Sequence, residues 1–224
     1  MKKKLLYTFL IAAICIANSC FCQRNDAGLW LSLELEKLLT KRLSLEFSHT
    51  ERIAQNITRW DLAYSDIGLS YKFGKHISAS ANYRYINKFN PEQGVENRHR
   101  FYCDLVLKQK LKPFEFSLRQ RFQNQLEDML TSEDGLVPQY YTRSKLAIKY
   151  DLNRFTPCIA SELYIKLVPG DQPLPNRYRL FGGLNYSVNK TNDIEVYYLF
   201  DRRFNQKDPL TNYVIGLNYK HTFY

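Results

Sequence analysis

The chain has 224 residues, a formal net charge of +10 and a mean hydropathy of −0.43. Beyond the first 22 residues, no apolar segment reaches the roughly 18 residues that a membrane-spanning helix needs. The cationic residues are dispersed at alternate positions instead of being clustered, and we therefore expect no nucleic-acid partner.

The N-terminus has the features of a secretory signal peptide. Lys2–Lys4 precede an apolar run, Leu5–Ala17, and small residues follow. We predict cleavage between Cys22 and Gln23, so that residues 1–22 are the signal peptide and residues 23–224 form one mature domain of 202 residues with a net charge of +7. Lipoprotein processing at Cys20 is the alternative, although the residues before it lack the usual Leu and the usual Gly or Ala.

From residue 29 onward, apolar and polar residues alternate with a period of two. In the clearest segment, Ile77, Ala79 and Ala81 alternate with Ser78 and Ser80. Such alternation is typical of β-strands with one apolar and one polar face. Besides the stretch 26–40, ten segments share the pattern: 43–48, 66–73, 77–85, 100–108, 114–119, 145–150, 159–165, 178–188, 194–201 and 213–223.

The connections between these segments alternate in length. Short turns are predicted near residues 41, 74, 111, 152 and 190, and longer links at 51–60, 87–97, 123–139, 167–176 and 202–211. Short periplasmic turns and longer external loops are typical of outer-membrane barrels. The sequence therefore predicts an all-β fold, an antiparallel up-and-down transmembrane β-barrel of 10 to 12 strands.

The strand number depends on the stretch 26–40, which brings the count of segments to eleven. A bacterial single-chain barrel with both termini in the periplasm needs an even number of strands. The stretch either contains two short strands, which gives twelve, or lies outside or inside a ten-stranded wall. We prefer twelve.

Aromatic residues support a membrane location. They make up 15% of the chain, and several fall near the ends of predicted segments, including Trp60, Tyr85, Tyr150 and Phe200. Aromatic girdles of membrane barrels lie at such positions. A soluble β-sandwich or a periplasmic barrel is the alternative, but a chain of this length has more apolar strand faces than one sandwich core needs.

Several short segments together resemble an uncharacterised family of outer-membrane β-barrels common in Bacteroidetes, the domain of unknown function 2490. The resemblance spans the mature chain and rests on Trp30, Gly68–Tyr71, Tyr83–Tyr85, Asn97–Phe101, Ser161–Leu163, Asn176–Arg179 and the Tyr-rich final strand. It implies a barrel fold and an outer-membrane location, but no settled activity.

Charged residues gather on the inward face of the predicted strands. Residues 97–101 and 176–180 share the pattern Asn-Arg-x-Arg-apolar, and each begins a strand after a long link. Charged side chains avoid lipid and can pair across neighbouring strands. The predicted lumen-lining residues are Arg84, Arg98, Arg100, Arg119, Arg121, Arg143, Glu162, Arg177, Arg179 and Glu195. Glu46 and Glu115 are further candidate acidic partners.

These charges have two interpretations. They can form a cationic constriction that favours anionic solutes, as in anion-selective pores. Alternatively, they fill a narrow barrel with a salt-bridged polar interior. The sequence thus predicts a narrow channel or a structural barrel in the bacterial outer membrane, with binding of a surface ligand as a further alternative. Outer-membrane lipid and the barrel-assembly machinery are the expected partners, and the solute or surface ligand is not identified.

Catalysis has weak support in the sequence. An outer-membrane lipid hydrolase needs a Ser or Thr beside a His that a carboxylate or amide orients. Among the four histidines, His49 has such neighbours in Ser48, Thr50 and Glu51, but the alternation places His49 on the lipid-facing side of its strand. We expect a chain that is not an enzyme. We also expect no metal and no cofactor, because neither a close His and Cys set nor a Gly-rich phosphate loop is present.

Overall fold

The computed structural model describes residues 24–91, 94–127, 139–168, 170–205 and 209–224. The predicted signal peptide, its cleavage site and Cys20 lie outside these residues. The regular elements of the described part are all β-strands: β1 (Arg24–Leu38), β2 (Leu43–Ala54), β3 (Arg59–Lys72), β4 (Ile77–Asn90), β5 (Gly94–Leu111), β6 (Phe114–Glu127), β7 (Gln139–Tyr150), β8 (Phe155–Leu167), β9 (Leu174–Ser187), β10 (Asn192–Arg203) and β11 (Leu210–Phe223).

The strands form one closed barrel in sequence order. Consecutive strands pair antiparallel. The ring closes between β1 and β11, which pair in parallel from Arg24 opposite Leu210 to Lys37 opposite Phe223. The predicted barrel of 10 to 12 strands is confirmed, whereas the preference for twelve is wrong, since there are eleven strands.

The stretch 26–40 is neither two strands nor a segment outside the wall, because its alternation continues without a break. Gly28 and Trp30 line the lumen, while Leu31 and Leu33 are exposed on the outer face. Parallel pairing with β11 supplies β1 with hydrogen-bonding partners on its second edge. Because the strand number is odd, Arg24 and Phe223 lie at opposite ends of the barrel.

The two faces of the wall differ in polarity, as the period of two predicts. On β3, the exposed fractions of Ile67 and Leu69 are 51% and 49%, whereas that of Asp66 is 7%. Large apolar side chains are exposed on the outer face of all eleven strands. An apolar outer wall around a polar interior is the arrangement of a membrane barrel.

A small apolar cluster packs inside the barrel where β1 meets β11. Trp30, Leu199 and Val214 are buried there, with Phe181 and Tyr197 packed against them. The Tyr197 ring lies directly over Gly216 on the neighbouring strand, and a Cβ atom at position 216 would come within 2.0 Å of that ring. Glycine is therefore required at position 216 for this packing.

The two ends of the barrel differ in their connections. Residues 39–42, 73–76, 112–113, 151–154 and 188–191 connect strands at what we call the short-turn end. Residues 55–58, 91–93, 128–138, 168–173 and 204–209 connect them at the long-loop end. All five long-loop connections are shorter than predicted, because the strands extend beyond their apolar segments. The first two, 55–58 and 91–93, are no longer than most of the short turns, so the predicted alternation of lengths is wrong for them.

Cys103 is exposed on the outer wall and Cys158 lines the lumen, and both are free. Among the described residues, no helix has the length and apolar character needed to cross a membrane.

Candidate functional site

The lumen contains a cavity of about 1050 Å³ that runs between the walls of the barrel. The structure places all ten predicted lumen-lining residues on its surface: Arg84, Arg98, Arg100, Arg119, Arg121, Arg143, Glu162, Arg177, Arg179 and Glu195. The alternation of each strand is enough to bring them together, since inward positions of neighbouring strands share one space.

Two arginines of the lumen form bidentate ion pairs with aspartates on neighbouring strands. Arg84 donates through Nε and an Nη atom to the two carboxylate oxygens of Asp66, at 2.6 and 2.7 Å. Arg121 binds Asp104 in the same way, at 2.6 Å for both contacts. All four side chains are buried. Paired geometry of this kind fixes the plane of each guanidinium group.

Glu162 lies at the centre of a cluster of three arginines. Arg119 on β6 donates to it at 2.6 Å and Arg143 on β7 at 2.9 Å. Arg179 on β9 lies 3.7 Å from the other carboxylate oxygen. Glu162 is 1% exposed. A carboxylate removed from water in this way is tolerated because cations surround it.

Asp201 binds both arginines of the predicted pattern at residues 176–180, Arg177 and Arg179. It is fully buried and accepts hydrogen bonds from Arg177, the Nε contact being 2.5 Å. The Nε of Arg179 lies 3.4 Å from the same carboxylate. Arg179 therefore links the carboxylates of Glu162 and Asp201.

The remaining predicted residues have weaker or neutral partners. Arg100 donates to the side-chain oxygen of Gln125. Arg98 binds Glu96 at 2.9 Å, near the long-loop end. The carboxylate of Glu195 lies 3.6 Å from the Cys158 thiol.

Aromatic rings alternate with the arginines around the lumen. The guanidinium carbon of Arg52 lies 3.6 Å from the Trp30 ring centroid and 4.9 Å from that of Tyr64. On the next strand pair, Arg84 lies 3.7 Å from the Tyr64 centroid and 5.6 Å from that of Tyr102. Each ring thus contacts a cation through its electron-rich face.

The series continues on the next strands, where two arginines, Arg121 and Arg143, follow each other. Arg121 lies 3.8 Å from the Tyr102 centroid, and its cross-strand neighbour Arg143 lies 4.3 Å from that of Tyr164. Arg179 closes the series. Its guanidinium carbon lies 5.0 Å from the Tyr164 ring centroid and 5.2 Å from that of Trp30, where the series begins. We call this set the arginine–aromatic belt: Trp30, Arg52, Tyr64, Arg84, Tyr102, Arg121, Arg143, Tyr164 and Arg179.

The lumen has more cations than anions. Among the described residues that line the cavity, fifteen are Lys or Arg and nine are Asp or Glu. The Nε atoms of Arg52, Arg143 and Arg179 are buried and have no hydrogen-bond partner among the described residues. Even when the buried Asp201, which pairs with Arg177 and Arg179, is counted with the anions, cations outnumber anions, so the ion pairs neutralise only part of the positive charge.

Sequence reasoning missed several members of this network. It named Glu46 and Glu115 as acidic partners, but Glu46 contacts Ser44 at 3.5 Å and Glu115 binds two lysines near the short-turn end. The principal partners of the arginines, apart from Glu162, are Asp66, Asp104 and Asp201. These aspartates could have been predicted from the sequence, because each occupies an inward-facing position on a strand next to one that carries an inward-facing arginine. The inward-facing positions of Arg52 and the belt aromatics give the same indication.

The outer face has a separate group of polar side chains on β2 and β3, which we call the outer-face triad. The Nδ1 atom of His49 lies 2.9 Å from the Ser65 hydroxyl oxygen, and its Nε2 atom lies 3.1 Å from a carboxylate oxygen of Glu51. The other carboxylate oxygen of Glu51 accepts a hydrogen bond of 2.5 Å from the Trp60 indole. The triad consists of Ser65, His49 and Glu51.

The sequence-based candidates for a nucleophile beside His49 are wrong. Ser48 and Thr50 line the lumen, on the opposite face of β2 from His49. Ser48 donates to Asp66 at 3.1 Å, and Thr50 lies 3.0 Å from the hydroxyl of Ser32. Adjacent residues of a strand point to opposite faces, so the partner of His49 comes from the next strand. Among the described residues, no group of three metal-binding side chains is found.

Comparisons with known proteins find similar solved structures and one matching family. Two solved structures have similar folds: the NanC porin, in a rhombohedral crystal form, and a bacterial polysaccharide outer membrane secretin. The first has 15% identity and a TM-score of 0.49, and covers 83% of this chain and 92% of that chain. The second has 10% identity and a TM-score of 0.47, and covers 84% of this chain and 78% of that chain.

A search of curated proteins finds no match. The family described as "Protein of unknown function (DUF2490)" matches residues 27–212, nearly the whole barrel. The chain therefore belongs to this family of proteins of unknown function.

Proposed function

We propose that the protein is a narrow channel in the bacterial outer membrane that favours small anionic solutes. The observation that carries this proposal is the lining of the lumen cavity, in which fifteen cationic residues face nine anionic ones. Rings of Arg and Lys favour anions because they lower the electrostatic barrier to entry.

An open lumen is favoured over a filled one by the size of the barrel. Barrels of eight strands have interiors that side chains just fill. This barrel has eleven strands. A cavity of about 1050 Å³ remains beside the salt bridges of the lumen. Rings and carboxylates hold the belt arginines in place, and the proposed path for solutes is the cavity that remains beside them.

The proposed location follows from the apolar outer wall together with the predicted signal peptide. The predicted signal peptide directs the chain to the periplasm and is removed near Cys22 and Gln23, and the barrel-assembly machinery then inserts the mature chain into the outer membrane. Outer-membrane lipid then covers the wall. The channel role needs no cofactor and no catalysis in the lumen.

Conductance measurements test this function directly. The purified barrel in a planar lipid bilayer is expected to show channel events, and a salt gradient should give a reversal potential of the sign for anion preference. Arg100→Gln removes one lumen charge whose partner in the structure is the neutral Gln125, and should shift that potential towards zero. Arg202→Gln is the matched control, because Arg202 does not line the cavity.

Two results would contradict the channel. A folded barrel without channel events at any tested voltage would show that the charged interior seals the lumen. A cation preference would show that the excess of arginines does not set the selectivity.

A further inference from the structure

We propose that the outer-face triad is a catalytic site that hydrolyses carboxylic esters of membrane lipids. This activity is separate from conduction through the lumen, and it departs from the expectation that the chain is not an enzyme. It rests on three side chains of β2 and β3 that are connected by hydrogen bonds on the outside of the barrel.

The order of the hydrogen bonds is that of a nucleophile, a base and an orienting acid. With its proton on Nε2, His49 donates to Glu51 and leaves the Nδ1 lone pair for the hydroxyl proton of Ser65. The bond from Trp60 to the second oxygen of Glu51 holds the carboxylate in place. β2 and β3 are paired throughout this region, with His49 directly opposite Ser65, so rigid strands set the distances.

On β2 and β3 the triad lies where the exposed apolar residues end, while on the neighbouring β1 the exposed Leu31 lies opposite Glu51. On β2 the exposed apolar residues Leu45 and Phe47 precede His49, and on β3 Ile67 marks the same boundary beside Ser65. With about 3.3 Å per residue and a tilt of about 40°, Ser65 lies about 20 Å above the short-turn end, in a band about 25 Å tall.

This depth matches the substrate. Ester bonds of membrane lipids lie where the headgroups meet the acyl chains, and the triad faces that layer. The side chains of His49 and Glu51 are 41% and 40% exposed, so a lipid can reach them from the side. An ionisable group that faces lipid is costly and is therefore a strong indication of function.

The surroundings of the triad contain a group suited to stabilise the reaction. Tyr85 is the cross-strand neighbour of Ser65 on β4 and lies on the same outer face. Its ring lies 5.4 Å from that of His99. A phenol hydroxyl can donate to the oxyanion that forms on the carbonyl oxygen of the ester. We assign this role to Tyr85.

The reaction balances with water as the second substrate. The Ser65 hydroxyl oxygen attacks the ester carbonyl carbon while His49 takes the hydroxyl proton. The carbon–oxygen bond to the alcohol then breaks, and the alcohol leaves with that proton. Water attacks the resulting acyl-Ser65, gives one proton to His49 and releases the fatty acid. The proton on His49 returns to Ser65.

Two lipids can present this ester. The triad lies towards the long-loop end, which faces the cell exterior in outer-membrane barrels. Lipopolysaccharide occupies that leaflet, and phospholipid can reach it from the inner leaflet. The shared chemistry is the acyl ester, and separate assays on purified lipopolysaccharide and on phospholipid micelles distinguish the two sources.

The test measures fatty-acid release by mass spectrometry from the purified, detergent-folded barrel with each lipid. Ser65→Ala and His49→Gln should lower the rate about a thousandfold or more, and Tyr85→Phe by about tenfold. Ser144→Ala is the matched control, because Ser144 is a serine of β7 outside the cavity lining whose hydroxyl donates to Gln120. Its rate should equal that of the unaltered protein.

A second measurement does not depend on the folding of any variant. A fluorophosphonate probe should label the unaltered protein, and peptide mass spectrometry should place the label on Ser65. Release of fatty acid that persists in Ser65→Ala, or a folded barrel that neither releases fatty acid from either lipid nor reacts with the probe, would overturn the proposal. Neither result bears on conduction through the lumen.

Discussion

Each face of the β2–β3 pair carries a hydrogen-bonded carboxylate, but the two carboxylates have different partners. On the inner face, the carboxylate of Asp66 is held by both prongs of Arg84 and by the hydroxyl of Tyr102, 3.1 Å away. On the outer face, the carboxylate of Glu51 contacts a histidine and an indole. The inner carboxylate neutralises a fixed cation, whereas the outer one can stabilise a cation that forms during a reaction.

The partners of a carboxylate decide whether its charge is used for a permanent ion pair or is available during a reaction. A carboxylate surrounded by permanent cations is already paired, and removal of either partner destabilises the wall. A group beside a titratable imidazole keeps its charge available for changes of protonation. One alternating strand pattern therefore builds the charged interior and the outer-face triad from neighbouring residues. Substitutions on each face should separate the two roles.

The largest effect on stability is expected on the inner face, at Glu162. Glu162→Gln removes the carboxylate that Arg119, Arg143 and Arg179 share, and leaves two buried guanidinium groups and the partly exposed group of Arg119 without it. Breaking a buried ion pair from one side costs about 3–5 kcal/mol. Urea unfolding of the barrel in lipid vesicles, followed by tryptophan fluorescence, measures this loss.

Glu115→Gln is the matched control for that substitution. Glu115 binds Lys108 at 3.5 Å and Lys110 at 3.2 Å, and these lysine side chains are 45% and 71% exposed. Exposed ion pairs contribute about 0–1 kcal/mol. Equal losses in the two variants would mean that burial of the arginine cluster does not set its contribution to stability.

The next effect is expected on the outer face, in catalysis. Glu51→Gln keeps the shape of the side chain but removes the charge that stabilises the imidazolium of His49. We expect ester hydrolysis to fall about a hundredfold, which corresponds to about 2.7 kcal/mol in the activation barrier. Urea unfolding should change by less than about 1 kcal/mol, because the group is exposed.

Channel conductance in the same variant provides the internal control. Glu51 does not line the cavity, and Glu51→Gln should leave the reversal potential unchanged. A shifted potential would mean that the two faces are coupled. An unchanged rate of hydrolysis would remove Glu51 from the triad.

Most of the fold could be predicted from the alternation of residues such as Ile67 and Asp66. A period of two assigns each residue to a face without knowledge of the partner strand, and all eleven segments, including 26–40, are strands. The strand number was misjudged because an even number was required of the chain. The parallel pairing of β1 with β11 depends on how the ring closes, which no local pattern encodes.

The candidate sites could be predicted in part, for the same reason. Parity alone placed Arg84 and Glu162 on the lumen, yet their pairing partners depend on the register between strands. His49 shows the limit most clearly. Its partner Ser65 is sixteen residues away in sequence and becomes a neighbour only through the alignment of β2 with β3.

The smallest effect is expected at Tyr102, which contacts the belt through both its ring and its hydroxyl. Tyr102→Phe removes the 3.1 Å hydrogen bond to Asp66 but keeps the ring under Arg84 and Arg121. We expect a loss of about 1 kcal/mol in the free energy of unfolding. Tyr102→Leu removes the ring as well and should cost about 1–2 kcal/mol more. If the two variants unfold at the same urea concentration, stacking does not hold the arginines against the wall. In that case, the aspartates alone position the inner cations.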